Sequence, residues 1–368
     1  ADKYLDKTIE YIKMYEDFFG VFPYKNFSVV ENYAITGYSM PTYTLVGSYL
    51  LNKDYLINRS LGHEVLHQYF GNSIFNNNFK GNYSEGLVTH LADNYYEKLK
   101  DKDIQNRKLD ILSFMNFVSK DYPARDFVYR DNRNSMSIGY TKIAFVFYML
   151  ENKIGNDEFY RILKKLYKEK KFTEVNLEQL QKYFIKNSEK DLKEFFSQWF
   201  DKKGIIDFKI SNVQRIYDYN GFKLSFTLTQ KEKYVFTLPV FIKTYDKDVY
   251  KTIKINKKVQ NISINLKEEP LSFAIDKEYT LFRKLFKPEY PLNIGQLLNT
   301  KNLLIVKDEK TFNKYENISR AFPNAKIIKY QDLKFEELKK SSVIFLDKTN
   351  ESLRHFFPRL KNKKENSF

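Results

Sequence analysis

Apolar positions recur at helical spacing from Ala1 to Phe19, marked by Tyr4, Ile9, Ile12 and Tyr15, and Gly20 ends the run. Residues 26–48 then switch to β-branched and aromatic segments, which predict a short sheet bordering a cleft. Helical patterning returns over Asn58–Phe70 and Glu85–Leu99 and continues from Ile104 to Phe200. Within that stretch, Asn176 three residues before Gln179 and Ser188 three before Asp191 read as amino-terminal capping pairs. Lys164, Lys165, Lys168, Glu169, Lys170 and Lys171 read as the solvated face of one helix. After Gly204 the period falls to two, in Phe208–Ile216, Phe222–Leu228, Tyr234–Lys243 and Val249–Ile255, with Asn220-Gly221 as a turn pair. The tail alternates short apolar runs, Asn302–Val306, Ala325–Ile328 and Ser342–Leu346, with helical stretches, an α/β pattern. The expected fold class is α+β and multidomain: a mainly helical domain over 1–203, a β-sandwich over 204–285 and a partial α/β domain over 286–368.

Composition narrows the function classes. With 42% hydrophobic and 17% aromatic residues the chain can fill a large core. Its longest apolar runs, such as Ile143–Leu150, are too short to span a bilayer, so no transmembrane segment is expected. A net charge of +16 would suit a polyanionic partner, but the lysines are scattered and no nucleic-acid-binding module is recognisable, so no nucleic-acid partner is expected. The absence of cysteine excludes disulfides and thiolate ligands and leaves nitrogen and oxygen donors for any metal. The tail has no glycine-rich phosphate loop, which argues against a nucleotide site.

The histidines carry the chemistry. Four occur in the chain, and two of them stand in His63-Glu64-Val65-Leu66-His67. Residues four apart share a helix face, so His63 and His67 can grip one ion and carry Glu64 beside it. With Glu85 at the head of the next helical stretch, the arrangement reads as a zinc site with its own general base, suited to amide hydrolysis.

His63–Asn72 (HEVLHQYFGN) and Tyr83–Thr89 (YSEGLVT) closely resemble the HExxHxWxGN and LNEGFAT segments of the M1 aminopeptidase family of gluzincins. The resemblance implies a thermolysin-like catalytic domain in which His63, His67 and Glu85 hold one Zn2+ per chain and Glu64 is the base. The spacer of residues 68–84 is one shorter than the family's, and the turn Asn76-Asn77-Asn78 is where a deletion fits. Gly139–Leu150 (GYTKIAFVFYML) resembles YEKGALVLxML, which makes Tyr140 the donor that steadies the oxyanion. Asp191–Gly204 (DLKEFFSQWFDKKG) resembles FxxWxxxxGxP, with Trp199 in place as a packing anchor. Where the family carries a GxMEN segment, whose glutamate holds the substrate's amino terminus, this chain offers Gly37-Tyr38-Ser39-Met40-Pro41 instead. Counting back from His63, Ser39 stands where that glutamate would be. Gly37, Tyr38, Ser39 and Met40 are accordingly the candidate substrate-binding residues, and Glu31 is a weaker substitute for the lost charge.

The resemblance covers about residues 1–285 and implies a zinc metallopeptidase acting on peptides. Two alternatives stay open: a catalytically retired peptidase fold that serves as an interaction protein, and an endopeptidase lacking the amino-terminus anchor. A chain that begins at Ala1, inside the family's architecture, reads as an excised or incomplete product whose targeting signal was lost with its front. The family resemblance favours the bacterial cell envelope or periplasm over the cytoplasm. The sequence is silent on side-chain preference and oligomeric state.

Overall fold

Helix α1 (Asp2–Phe19) buries Thr8, Tyr11, Tyr15 and Phe19, a narrower stripe than the apolar spacing predicts, and Ile9 stays about half exposed. The tyrosines settle the rotation because each has a polar tip to satisfy. Tyr11 donates its hydroxyl to Ile57 O at 2.8 Å and Tyr15 donates to Gly62 O at 3.0 Å, which docks α1 against the chain leading into His63. Gly20 closes the helix at φ 106°, as expected.

The computed structural model describes residues 2–33, 37–51, 53, 55–218, 221–291, 302–308, 322, 325–338, 340–346 and 353. It falls into two compact units, Ala1–Leu285 and Phe286–Phe368. In the first, β1 (Ser28–Asn32), β2 (Tyr38–Met40) and β3 (Tyr43–Gly47) form a sheet in the order β1-β3-β2, with β1 parallel and β2 antiparallel to β3. Strand β2 is therefore an edge, and Tyr38 and Met40 are exposed on it.

The segment bearing the histidines is less regular than an unbroken helix over Asn58–Phe70. A π-helical turn, Leu56–Ser60, leads into α2 (Leu61–Leu66), and Phe70 already belongs to β4 (Phe70–Gly71), which pairs with β5 (Ile74–Phe75). After His67 the bonds tighten to Gln68 N to Val65 O and Tyr69 N to Leu66 O, and Gly71 at φ 128° turns the chain. A Cβ at Gly71 would lie 3.2 Å from His67 Nδ1, so both the backbone angle and the space favour glycine there. The Glu85–Leu99 helix is likewise composite: α3 (Ser84–Val88), a π segment Thr89–Asn94 and α4 (Tyr95–Leu99).

Helices α5 (Asp103–Phe117), α6 (Arg133–Met136), α7 (Ile143–Ile154), α8 (Asn156–Lys170), α9 (Leu177–Asn187) and α10 (Lys193–Phe196) complete this part, with the two-residue strand β6 (Thr173–Glu174) beside β5. Asn176 caps α9 with the reciprocal Gln179 bond that its spacing predicts. Ser188 caps no amino terminus: it is the carboxy-terminal cap of α9, and Asp191 instead accepts from Lys193 N at the start of α10. The lysine-rich face of α8 is exposed, and Trp199, in the π segment Ser197–Asp201, is buried between Tyr234 and Phe282.

Strands β7 (Phe208–Asp218), β8 (Gly221–Gln230) and β11 (Val259–Leu266) make one antiparallel sheet, and β9 (Phe236–Lys243), β10 (Asp248–Ile255) and β12 (Ser272–Ile275) make another. The sheets meet through Phe208–Phe236 and Phe226–Phe273 ring contacts. Asn220 lies outside the described residues; its neighbour Gly221 has φ 115°. The exit from β12 returns to the helices, where Phe282 packs on Phe114, Phe145 and Trp199 and the fully buried Arg283–Asp276 pair fixes its course. In the second unit, β13 (Leu303–Lys307) lies between β14 (Ala325–Lys329) and β15 (Ser342–Phe345), all parallel, over a small core of Leu304, Val306 and Leu333.

Candidate metal centre and its cleft

Helix α2 sends the His63 and His67 rings into a cleft of about 920 Å³, and α3 delivers Glu85 to the same point. His67 Nε2 lies 3.1 Å from His63 Nε2 and 3.2 Å from Glu85 Oε2, and His63 Nε2 lies 3.6 Å from that oxygen. The short spacer therefore does not keep Glu85 from the histidines. The chain between them runs through β4, β5, a 3₁₀ turn over Asn78–Lys80 and Gly81 at φ 93°.

The outer ring nitrogens decide which atoms are left for a ligand. His67 Nδ1 lies 3.0 Å from Phe70 O, and a carbonyl oxygen only accepts, so that nitrogen carries the proton. His63 Nδ1 lies 2.6 Å from Asp93 Oδ2, whose other oxygen accepts from Arg59 Nε at 2.8 Å. When both rings are neutral, this arrangement points two bare Nε2 lone pairs and a carboxylate oxygen at one another. Three acceptors that converge without a donor between them suit a cation, and an N,N,O set suits zinc.

Burial lowers the His63 imidazole, but Asp93, Glu85 and Glu64 outweigh it and raise it well above its ordinary value, so a cation that binds at Nε2 displaces a proton. Burial opposes the charge on Glu85, but His67 and His63 outweigh it and hold the carboxyl well below the usual carboxylate range. Asp93 is lowered the same way, against burial, by His63 and Arg59. Burial raises the Glu64 carboxyl, with the two histidines pulling the other way. Glu64 faces Gly37, where an added Cβ would sit 3.3 Å from Glu64 Oε1. Tyr140 lies in the π segment Ser137–Lys142 and lines the same cleft as Glu85, with the Arg130 guanidinium over its ring at 5.5 Å. Burial, then Glu85, push its phenol far above the ordinary value, so it remains a proton donor.

Of the candidate substrate-binding residues, Gly37, Tyr38 and Ser39 line the cleft. Met40 contributes its carbonyl, which accepts from Gln68 Nε2 at 3.0 Å. The Ser39 hydroxyl is already committed: it donates to Glu64 O at 2.9 Å and accepts from Gln68 Nε2 at 2.9 Å and Asn72 Nδ2 at 3.1 Å. It clamps the β2 edge to α2 and has no capacity left for a substrate amine. Glu31 is exposed on β1, on the far side of β3 from β2, and does not join the cleft lining.

Sequence reasoning missed Asp93, Arg59 and Asp110, all of which line the cleft. The available signal for Asp93 was its place on the same helical stretch as Glu85, two turns on. Asn94 also lines a second cavity of about 730 Å³, but there His90 is paired with Glu151 and Arg107 with Asp103, while Arg161 and Lys164 are tied to backbone carbonyls. No comparable convergence of bare acceptors lies in it among the described residues. Nor, among the described residues, is any helix long and apolar enough to cross a membrane.

Among solved structures, aminopeptidase A of Legionella pneumophila, determined in complex with aspartic acid, is similar at a TM-score of 0.60 and 17% identity, over 80% of this chain and 36% of that one. The likeness is one of fold, and this chain spans about a third of that protein's length. No curated protein sequence matches it closely enough to count as a relative. Residues 4–199, more than half of the chain, match the profile described as the Peptidase family M1 domain, and the chain belongs to peptidase family M1.

Proposed function

We propose that this chain hydrolyses peptide bonds as a zinc-dependent peptidase, with one ion held by His63 Nε2, His67 Nε2 and Glu85. The observation that carries the reading is the convergence of those three acceptors next to Glu64, with both Nδ1 atoms committed elsewhere. Zinc, when bound, supplies a Lewis acid that polarises the scissile carbonyl and acidifies water. Glu64 takes a proton from the attacking water at its carboxylate and passes it to the departing amine. Its raised affinity for protons favours the first half of that exchange. Tyr140, held as a neutral phenol, donates to the carbonyl oxygen as negative charge grows there. The outer edge of β2 is placed to pair with an extended peptide backbone. In this reading 1–203 is a thermolysin-like catalytic domain, 204–285 a β-sandwich that buttresses it, and 286–368 a partial α/β domain.

The committed Ser39 hydroxyl favours a second reading of specificity, in which cleavage does not depend on a free amino terminus held at β2. Acetylated and free peptides of one sequence then react at similar rates, whereas an amino-terminal anchor makes the acetylated form much poorer.

Elemental analysis of the purified chain after incubation with zinc is the primary test. About one zinc per chain, reduced in His67→Ala and Glu85→Ala, together with peptide cleavage lost in Glu64→Gln, is the expected result. A parent protein that takes up no zinc overturns the assignment and leaves a retired peptidase fold.

A further inference from the structure

The cleft contains a carboxylate for which the hydrolytic chemistry has no use. Among its described lining residues the acids are Glu64, Glu85, Asp93 and Asp110. Three belong to the metal centre. Asp110, on α5, does not: it accepts from Asn106 Nδ2 at 3.3 Å, and the same nitrogen is shared with Asn94 Oδ1 at 3.0 Å. No lysine or arginine reaches Asp110 at ion-pair distance among the described residues. The two guanidinium groups whose charge it feels are engaged elsewhere, Arg59 with Asp93 and Glu97, and Arg107 with Asp103 and Glu278 O.

A partly buried carboxylate facing a cavity without a counterion is costly unless a ligand supplies one. Burial pushes the Asp110 carboxyl up to about 7, even with Arg59 and Arg107 pulling it down. A docking cation reverses that penalty, so the group is charged when it is needed. Ser113, one turn along α5, adds a hydroxyl to the lining, and Tyr55, Leu56 and Met136 add surface on which a long methylene stem can lie. Asp110 lines the same cleft as His63, His67 and Glu85, and it feels the charge of Asp93, which touches His63 directly.

We propose that Asp110 is a specificity-determining residue that receives an ammonium or guanidinium group of the bound peptide. The proposal rests on the cleft being a peptidase site. The cation has two possible sources, a lysine or arginine side chain near the scissile bond or the free amino terminus, and one peptide set separates them.

The zinc-loaded full chain is assayed on internally quenched peptides of equal length carrying lysine, arginine, norleucine or glutamate at each position flanking the cleaved bond, each with a free and an acetylated amino terminus. The expected kcat/KM ratio of lysine to norleucine is about tenfold at one position, carried by KM, and Asp110→Asn brings that ratio near one. A tenfold loss on acetylation that Asp110→Asn abolishes assigns the cation to the amino terminus instead. No cation preference in the parent, or one that Asp110→Asn leaves intact, overturns the proposal. A ratio of rates is independent of how much of the variant folds. Should the parent cleave nothing, the peptidase reading fails by itself. The same lysine-to-norleucine ratio, read as equilibrium affinity on Glu64→Gln and on Glu64→Gln with Asp110→Asn, still decides the role of Asp110.

Discussion

Replacing Asp93 with asparagine tests whether the residues behind the histidines set the metal affinity. Asp93 satisfies two fixed donors, His63 Nδ1 at 2.6 Å and Arg59 Nε at 2.8 Å, one with each oxygen. Asparagine has a single oxygen, so its amide nitrogen must face one of those donors. If the oxygen stays on His63, a charge-assisted bond becomes a neutral one of about half the strength, a loss of about 1 to 1.5 kcal/mol, or about tenfold in metal affinity. If the amide turns round, His63 Nδ1 meets another donor. The ring then tilts or shifts its proton to Nε2, the atom that would bind the metal, and the loss rises to about a hundredfold. Competition against a chromophoric zinc chelator at fixed pH gives the Kd of the parent, of Asp93→Asn and of the control Asp157→Asn, an exposed residue outside the metal cleft. The expected order is an unchanged control and a 93 variant weaker by about 10- to 100-fold with its helical circular dichroism intact. An Asp93→Asn Kd within about twofold of the parent refutes the claim that this carboxylate orients His63.

Three further outcomes follow from the same geometry. Tyr140→Phe should keep the metal and bind substrate with little change in KM, while kcat falls by about 100- to 1,000-fold; a kcat within about fivefold of the parent removes Tyr140 from the mechanism. Gly86→Ala places a Cβ 2.4 Å from Ile143 Cγ2 and 2.9 Å from Gly139 O, so it wedges α3 from α7 and should cost about 1 to 3 kcal/mol in denaturant unfolding. An unchanged denaturation midpoint would mean that the two helices separate without penalty. Lys142 is fully buried, donates to Lys202 O at 3.2 Å, and is held by burial at about 8, below the ordinary lysine value, with Asp121 opposing. Between pH 8 and about 10.5 the unfolded chain still holds the proton that the folded chain has lost, so this residue's contribution to stability rises with pH there. The stability difference between the parent and Lys142→Met should therefore move in the parent's favour by about 3 kcal/mol across that window, and a flat difference contradicts the buried, depressed lysine.

How far the sequence reaches depends on whether an interaction is local. His63 and His67 are legible because a four-residue spacing fixes their mutual geometry on any helix, and the Asn176–Gln179 cap is legible for the same reason. Ser188 misleads because its spacing fits a cap while the chain there is leaving α9. The α1 stripe misleads because its rotation is set by where Tyr11 and Tyr15 find carbonyls on a segment some 46 or 47 residues away. Asp93 is hidden for a subtler reason. A regular helix advances about 100° per residue, which would leave position 93 roughly 80° off the face of Glu85, eight residues earlier. The π segment Thr89–Asn94 winds more slowly, and Asp93 reaches His63. Widened turns also precede α2 and carry Tyr140, so three of the elements that build the centre depart from the helical register on which periodicity depends.

Ser39 joins the local and the non-local lessons. Its position in the sequence reports the loss of a charge, and by itself that loss reads equally well as decay of the site or as a change of specificity. The geometry favours the second. One hydroxyl connects the β2 edge to the backbone of Glu64 and to the side chains of Gln68 and Asn72, while Gln68 Oε1 holds Thr42 N at 2.9 Å in the turn between β2 and β3. A decaying site has no need to hold the strand against the helix that carries Glu64. A peptidase that takes an extended substrate along β2 does, because the distance from that strand to the Glu64 carboxylate sets where an attacked carbonyl can sit. Ser39→Ala should accordingly raise KM and lower kcat together, by about three- to tenfold each, with zinc content unchanged. Parent-like kinetics on extended peptides would mean that the clamp holds nothing the reaction uses, and would return the lost charge to the reading of simple decay.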